Sequence, residues 1–237
     1  MKCAWKPSSR RAPRRYRGEI AARRLAVALG IRENVPPAFP RAFRDAELRP
    51  VLAGELYGEE AIVENGVVRG ALIPWIDKLE FLPLESDLAW KTWLKRGAAI
   101  PEDKRTIAAD TSTMVAFDFL TGNWDRWSGG NIGFDRAAGR VLFIDNDGAF
   151  FEVVPKDALA RARRHIAEID RWSRSFVAHV RALDDAALAK ALGDEPPGTP
   201  LVSAKVLAGV ASRRDEWLRA IEDKRADAGD DETLQFP

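Results

Sequence analysis

Apolar side chains recur every three or four positions through RGEIAARRLAVALG, where Ile20, Leu25, Ala28 and Leu29 share one face, and Gly30 stands where a left-handed helix stop belongs. A short extended stretch, AWKP, precedes this helix, and ENVPP after it forces an extended exit. AIVENGVVRGALIPW then reads as a hairpin, with Asn65-Gly66 as the two-residue turn between β-branched runs. SDLAWKTWLKRG predicts a short helix capped by Ser86 or Asp87. Pro101 with Glu102 and Asp103 opens a longer helix that runs to about Leu120 and stops at Gly122. NIGFD and RVLFID are short strands joined across RAAG. From Asp157 to about Lys224 the pattern is helical, broken by the turn-rich GDEPPGTP, and the polar tail after it is expected to fray.

Strand, helix and hairpin thus precede a mostly helical half. The expectation is an α+β chain of two lobes, with a cleft between them in which ligands bind. At 237 residues, 46% of them hydrophobic and 31% charged, the chain can bury a substantial core. Its 37 basic and 36 acidic side chains nearly cancel, which argues against nucleic acid as a partner. Basic residues crowd positions 1–24, where Glu19 is the lone acid, and the simplest reading of that run is a solvated face. No apolar run approaches the ~20 residues of a membrane span. The N-terminus lacks the apolar centre of a signal peptide, and the single cysteine, Cys3, rules out an internal disulfide framework. These features point to a cytoplasmic protein.

The chemistry concentrates in FDFLTGNWDRWSGGNIGFDRAAGRVLFIDNDGAFF, residues 117–151. A helix stops at Gly122, a polar loop follows, and a tight hairpin returns the chain to a second acidic turn. Because a hairpin brings its ends together, Asp125, Asn131 and Asp145 can converge. Carboxylate and amide oxygens suit a hard divalent cation, which binds through one or two carboxylates plus substrate phosphates. A further carboxylate off the metal could orient a hydroxyl nucleophile, and these are the parts of a phosphoryl-transfer site. Asp and Asn are also common turn formers, so each residue alone reads as a turn, and the joint arrangement carries the functional reading. His165 and His179 have no metal-ligand spacing to each other or to Cys3.

GNWDRWSGGNIGFD and GRVLFIDNDGAFF resemble the catalytic and metal-binding loops of atypical kinases, the Golgi casein kinase group and its bacterial relatives, and more distantly the phosphatidylinositol 3- and 4-kinases. The resemblance implies that Asp125 is the catalytic aspartate and Asp145 the metal-binding one. It implies a second metal ligand in Asn131, which lies six residues after Asp125 where the common kinase spacing is five. Asp147 is an extra acid, either a ligand or a turn residue, and Arg126 braces the loop. AWKP and the helix after it resemble the Lys-bearing strand and following helix of bacterial members, so Lys6 would meet the α- and β-phosphates of ATP and Glu19 would pair with it. Pro74, Trp75 and Ile76 would form the hinge beside the adenine. The eight tryptophans read as core and lobe-packing residues, and Trp124 and Trp127, flanking the loop, would also shape its acceptor side.

Kinase-like folds place two strands and a phosphate-covering loop before the Lys strand, whereas five residues precede Lys6 here. The implied fold is therefore a two-lobed protein-kinase-like α+β with a truncated N-lobe, or else a start internal to a longer gene. The lobes would be residues 1–77 and a helical 78–226, with 227–237 as a flexible tail. The implied function is an ATP- and Mg²⁺- or Mn²⁺-dependent phosphotransferase acting on a hydroxyl of a protein, a sugar or a lipid headgroup. Two other readings stay open: a catalytically impaired pseudokinase that binds nucleotide or protein, and an interaction protein whose acidic loops hold only a cation.

Overall fold

The computed structural model describes residues 2–52, 60–195 and 198–237. The N-terminal part is built on a three-stranded antiparallel sheet. Strand β1 (Cys3–Pro7) leads through the basic linker into helix α1 (Arg15–Ala28), which Gly30 terminates at φ 72°. Strand β2 (Phe39–Arg44) is followed by a single helical turn, α2 (Asp45–Leu48), and then by β3 (Val67–Pro74). The sheet order is β1-β3-β2, with Lys6 and Pro40 both opposite Ala71.

Here the structure departs from the expected hairpin. Asn65 and Gly66 do form the turn, at φ 52° and 75°. The arm before it, however, is reduced to isolated bridges at Ala61 and Glu64. Both edges of β3 are already taken by β1 and β2, so that arm has no ladder left to join. Strand β2 had no signal of its own, because Pro40 interrupts it. An edge strand tolerates a missing N–H, and β2 is an edge.

Residues 75–79 carry the chain from this sheet to a second one. Strand β4 (Glu80–Phe81) pairs with β5 (Ile132–Asp135), which pairs with β6 (Arg140–Phe143). Between β4 and β5 lie α3 (Ala89–Trp93) and the long α4 (Arg105–Thr121), entered through one 3₁₀ turn at Glu102–Lys104. Asp87, not Ser86, accepts a hydrogen bond from the α3 amide of Ala89, at 3.1 Å. Every residue of α4 from Thr111 to Thr121 is buried, so this helix is the axle of the helical half. Gly122 ends it at φ 65°, and a β-carbon there would stand 2.7 Å from Val154.

Helices α5 (Lys156–Glu168), α6 (Arg174–Ala182) and α7 (Asp185–Leu192) follow, then the strand pair β7 (Asp194–Glu195) and β8 (Thr199–Pro200), then α8 (Ala204–Ala228) and α9 (Asp230–Thr233). The turn-rich break falls at β7–β8, and its residues 196–197 lie outside the described residues. One continuous core reaches from Tyr16 and Ala71 to Trp217 and Phe236. No helix among the described residues is long and apolar enough to cross a membrane.

The C-terminal tail, expected to be flexible, is docked. Leu234 and Phe236 are buried. The Phe236 amide donates to the Trp172 carbonyl at 3.1 Å, and its carbonyl accepts from the Arg174 amide at 2.9 Å. Two apolar anchors within a polar segment outweigh its composition, because burying them and pairing the backbone hold it to the core.

Candidate active site

The sheet and α1 deliver the first charged cluster. Alternation along β1 puts Lys6 and Ala4 on one face, opposite Ala71 and Ile73 of β3. Lys6 Nζ donates to Glu19 Oε1 at 2.5 Å and to Asp145 Oδ1 at 2.6 Å, and lies 3.6 Å from Asp147 Oδ2. Three elements distant in sequence therefore meet at one ammonium group. Burial alone would lower the Lys6 pKa, but Glu19 and Asp145 more than offset it and hold the group well above its ordinary value. Lys6 stays a cation. Glu19, itself buried, also accepts from the Asn146 amide at 3.1 Å, which ties α1 to the acidic turn.

Asp145 adopts φ 52°, a left-handed conformation uncommon for a non-glycine residue, and a 3₁₀ turn over Asn146–Gly148 follows. The strained residue is the one whose carboxylate faces Lys6, which fits the habit of functional sites. The Asp147 carboxyl is pushed above the usual range, first by burial and then by its acidic neighbours Asp145 and Glu19, against the pull of Lys6 and Arg15.

The loop after α4 meets this turn at a glycine. A β-carbon on Gly148 would stand 2.7 Å from the Asp125 β-carbon and 3.0 Å from Asn123 Oδ1. Only a residue without a side chain lets Asp125 lie against the Asp145–Gly148 turn. Asn123 Oδ1 accepts from the Asp125 amide at 3.1 Å, and Asn131 Nδ2 donates to the Asp125 carbonyl at 2.9 Å. The backbone of Asp125 is thus clamped from both sides while its carboxylate remains uncommitted among the described residues.

Arg126, fully buried, is the knot beneath. It donates to both Asp118 oxygens at 3.0–3.2 Å, to Asn131 O at 2.7 Å, to the Ile144 carbonyl, and to Asn146 Oδ1 at 2.6 Å. One guanidinium joins α4, the Asp125 loop, the end of β6 and the Asp145 turn. Sequence reasoning assigned Arg126 a bracing role but missed its partner Asp118, which sits on an apolar helix eight residues upstream. It also missed Gly18, where a β-carbon would stand 2.6 Å from Asn146 O. A glycine inside a helical pattern was the available signal.

The remaining expected residues are placed less tightly. Asn131 spends its amide nitrogen on the Asp125 carbonyl and on Ser128 Oγ, at 3.2 Å, so it serves its own loop and leaves only Oδ1 for a cation. Continuing the β5–β6 register by one residue sets Asn131 beside Ile144, one position short of Asp145. Pro74, Trp75 and Ile76 lie where β3 leaves the first sheet for the second. Trp75 is half exposed beneath the Lys2 ammonium, 4.1 Å from its ring centre.

A divalent cation fits this donor set only in part. Among the described residues no three His, Cys, Asp or Glu side chains form a cage. Asp145, Asp147 and the Asn131 oxygen are hard donors, and they suit a cation that takes its other ligands from phosphate and water.

No family model matches the chain, and neither does any curated protein. Solved structures do. The structure of hydra Fam20 with sugar aligns at a TM-score of 0.68 and 19% identity, over 96% of this chain and 79% of that one. The Golgi casein kinase aligns at 0.65 and 13% identity, over 98% and 70%. Its structure with Mn/ADP bound aligns at 0.65 and 14% identity, over 92% and 63%. The fold of this chain is accordingly the kinase-like α+β fold of those proteins.

Proposed function

We propose that the chain is an ATP- and divalent-metal-dependent phosphotransferase that acts on a hydroxyl acceptor. The observation that carries the proposal is the meeting of Lys6, Glu19 and Asp145 beside the clamped Asp125 loop, on a kinase-like fold. Lys6, kept cationic by two carboxylates, would hold the α- and β-phosphates. Asp145, with Asp147 and Asn131 Oδ1 as neighbouring donors, would hold Mg²⁺ or Mn²⁺, which would neutralise phosphate charge. The segment Pro74–Ile76 would border the adenine, with Ala4, Ala71 and Ile73 on the face of the sheet that carries Lys6. Residues 1–77 and 78–226 would act as the two lobes around the nucleotide. The Golgi casein kinase structure with Mn/ADP bound supports this choice of ligands.

In the transfer, the acceptor oxygen forms a bond to the γ-phosphorus and the bond to the ADP oxygen breaks. Asp125 receives the hydroxyl proton, and phosphorylated acceptor and ADP leave. Preorganised charge and position dominate such reactions.

The test is ADP release with Mg²⁺ or Mn²⁺, run beside nucleotide titration, with protein, sugar and lipid acceptors. Asp145→Ala is expected to abolish both nucleotide binding and turnover. Asp125→Ala should keep nucleotide affinity within a few-fold and lose about 100-fold or more in turnover. Asp135→Ala, at the end of β5, should alter neither. A wild type that binds nucleotide but turns over no faster than Asp125→Ala would make the protein a binding module.

A further inference from the structure

A cavity of about 580 Å³ is lined by Trp124 and lies outside the Lys6 cluster. Its walls include neither Lys6 nor the Pro74–Ile76 segment. They are built from the linker before α1, from Trp124 next to Asp125, from residues 149–153 after the acidic turn, and from the start of α8. Asp125 is not itself in the lining, but its chain neighbour Trp124 is, so the cavity lies next to the Asp125 loop.

The charge on the walls is one-sided. Four arginines line the cavity against one acid, Glu152. Three of the four already face an acid, Arg11 with Glu60 at 2.9 Å, Arg17 with Glu195 at 2.8 Å and, more loosely, Arg15 with Asp147 at 3.6 Å. Arg14 has no ion pair or side-chain hydrogen bond among the described residues. Arg15 also lies over the Trp124 ring at 5.6 Å. Two helices also begin here, α1 at Arg15 and α8 after its cap Ser203, and neither has an acid in its first turn. Helix N-termini carry partial positive charge and favour anions. The rest of the lining is apolar, with Phe151 6.5 Å from Trp124 and Val153 at the exposed rim. The volume lies within the roughly 300–1,000 Å³ of small-molecule pockets.

We propose that this cavity seats the acceptor, and that the acceptor is a small hydroxyl-bearing anion, either a phosphorylated sugar or a hydroxy acid. Its anionic group meets Arg14 and Arg15 at the two helix starts, its body packs on Trp124 and Phe151, and its hydroxyl reaches Asp125. The proposal rests on the phosphotransferase reading and adds the substrate class. A neutral sugar would leave Arg14 unanswered. Crowding of basic residues before α1, read from the sequence as a solvated face, becomes the anion wall.

The experiment has a binding arm that needs no ATP and a turnover arm. Calorimetric titration of the whole chain uses inorganic phosphate, glucose 6-phosphate, gluconate and glucose. The anions are expected to bind and glucose not to, and the stronger of glucose 6-phosphate and gluconate tells phosphate from carboxylate. Arg14→Gln, and independently Val153→Glu at the exposed rim, should each weaken anion binding at least fivefold. Both should leave affinity for a fluorescent ATP analogue within twofold, and Lys190→Gln on the outer face of α7 should change nothing. In the turnover arm, Arg14→Gln should raise KM for the anionic acceptor while kcat holds. Equal binding of glucose and glucose 6-phosphate would overturn the proposal. So would ADP release driven by a serine peptide or by phosphatidylinositol vesicles with a KM indifferent to Arg14. Arg14-dependent anion binding in a protein that binds no nucleotide would overturn the phosphotransferase reading and keep the anion site. ADP release to neutral alcohols without anion binding would do the reverse.

Discussion

Arg126 uses its guanidinium wholly inside the protein, and the Asp118 pair is only part of that use. Removing one partner of a buried ion pair costs about 3–5 kcal/mol, because the other charge is left uncompensated. Arg126→Met is therefore expected to lower unfolding free energy by more than that amount, read by urea denaturation. If the pair were the whole story, the double variant Asp118→Leu/Arg126→Met would restore stability. It should restore only part, because Asn131 O, Ile144 O and Asn146 Oδ1 also lose their donor, at about 1–3 kcal/mol for each buried acceptor left unsatisfied. His165 makes a second residue-scale case. Its ring is packed against Trp90 and Trp127, and burial first, then Lys91, lowers its pKa to about 4. The folded value lies below the ordinary one of 6.5, so the unfolded chain takes up the proton first. The contribution of neutral His165 is complete above pH 6.5 and fades as pH falls toward 4. His165→Leu should flatten the stability–pH curve in that window, and an unchanged slope would show that His165 is charged in the fold. The sequence singled out Asp125 and Asp145 through their local pattern. Asp118 and His165 stayed silent because their partners come from other elements.

Helix α1 shows how an element becomes part of a site. Its period-3.6 face was legible, and so was Glu19 as the partner of Lys6. What sets its height over the acidic turn is Gly18, which nothing in the pattern explained. Glycine to alanine inside a helix should stabilise by up to about 1 kcal/mol on propensity alone. At Gly18 the new methyl would be driven against the Asn146 carbonyl, and overpacking of that kind costs about 1–3 kcal/mol. The clash wins, so Gly18→Ala should be destabilising in urea and should weaken nucleotide binding by shifting Glu19 and Lys6 off Asp145. A stabilised variant would mean that α1 does not rest on the turn. The β5–β6 hairpin was readable because both strands and their turn are contiguous. Strand β2 was not, since its partner β3 lies more than twenty residues away and pairing over such distances leaves no local trace. The docked tail was hidden in the same way, as the backbone that Phe236 pairs with belongs to Trp172 and Arg174.

At the scale of the whole chain, the order of elements fixed the α+β class and led to the expectation of two lobes with a cleft between them. The sharing of one core did not follow from that order, since two lobes could fold separately. The core runs without interruption from Tyr16 and Ala71 to Phe236, so unfolding should be a single transition. Mg²⁺-ATP would bind only where Lys6 of the first sheet and Asp145 beyond β6 are held together, and so only to the fully folded chain. At a ligand concentration 100 times Kd, such binding adds about 2.7 kcal/mol. For a chain of this size that raises Tm by about 5–10 °C. Differential scanning calorimetry should show the whole transition moving by that amount in the wild type and in Asp125→Ala, and staying in place in Asp145→Ala. A transition that splits, with only one part following the ligand, would mean that the halves are separate units and that the nucleotide reads just one of them. A shift retained in Asp145→Ala would remove that carboxylate from the nucleotide site and leave Lys6 paired with it for structure alone.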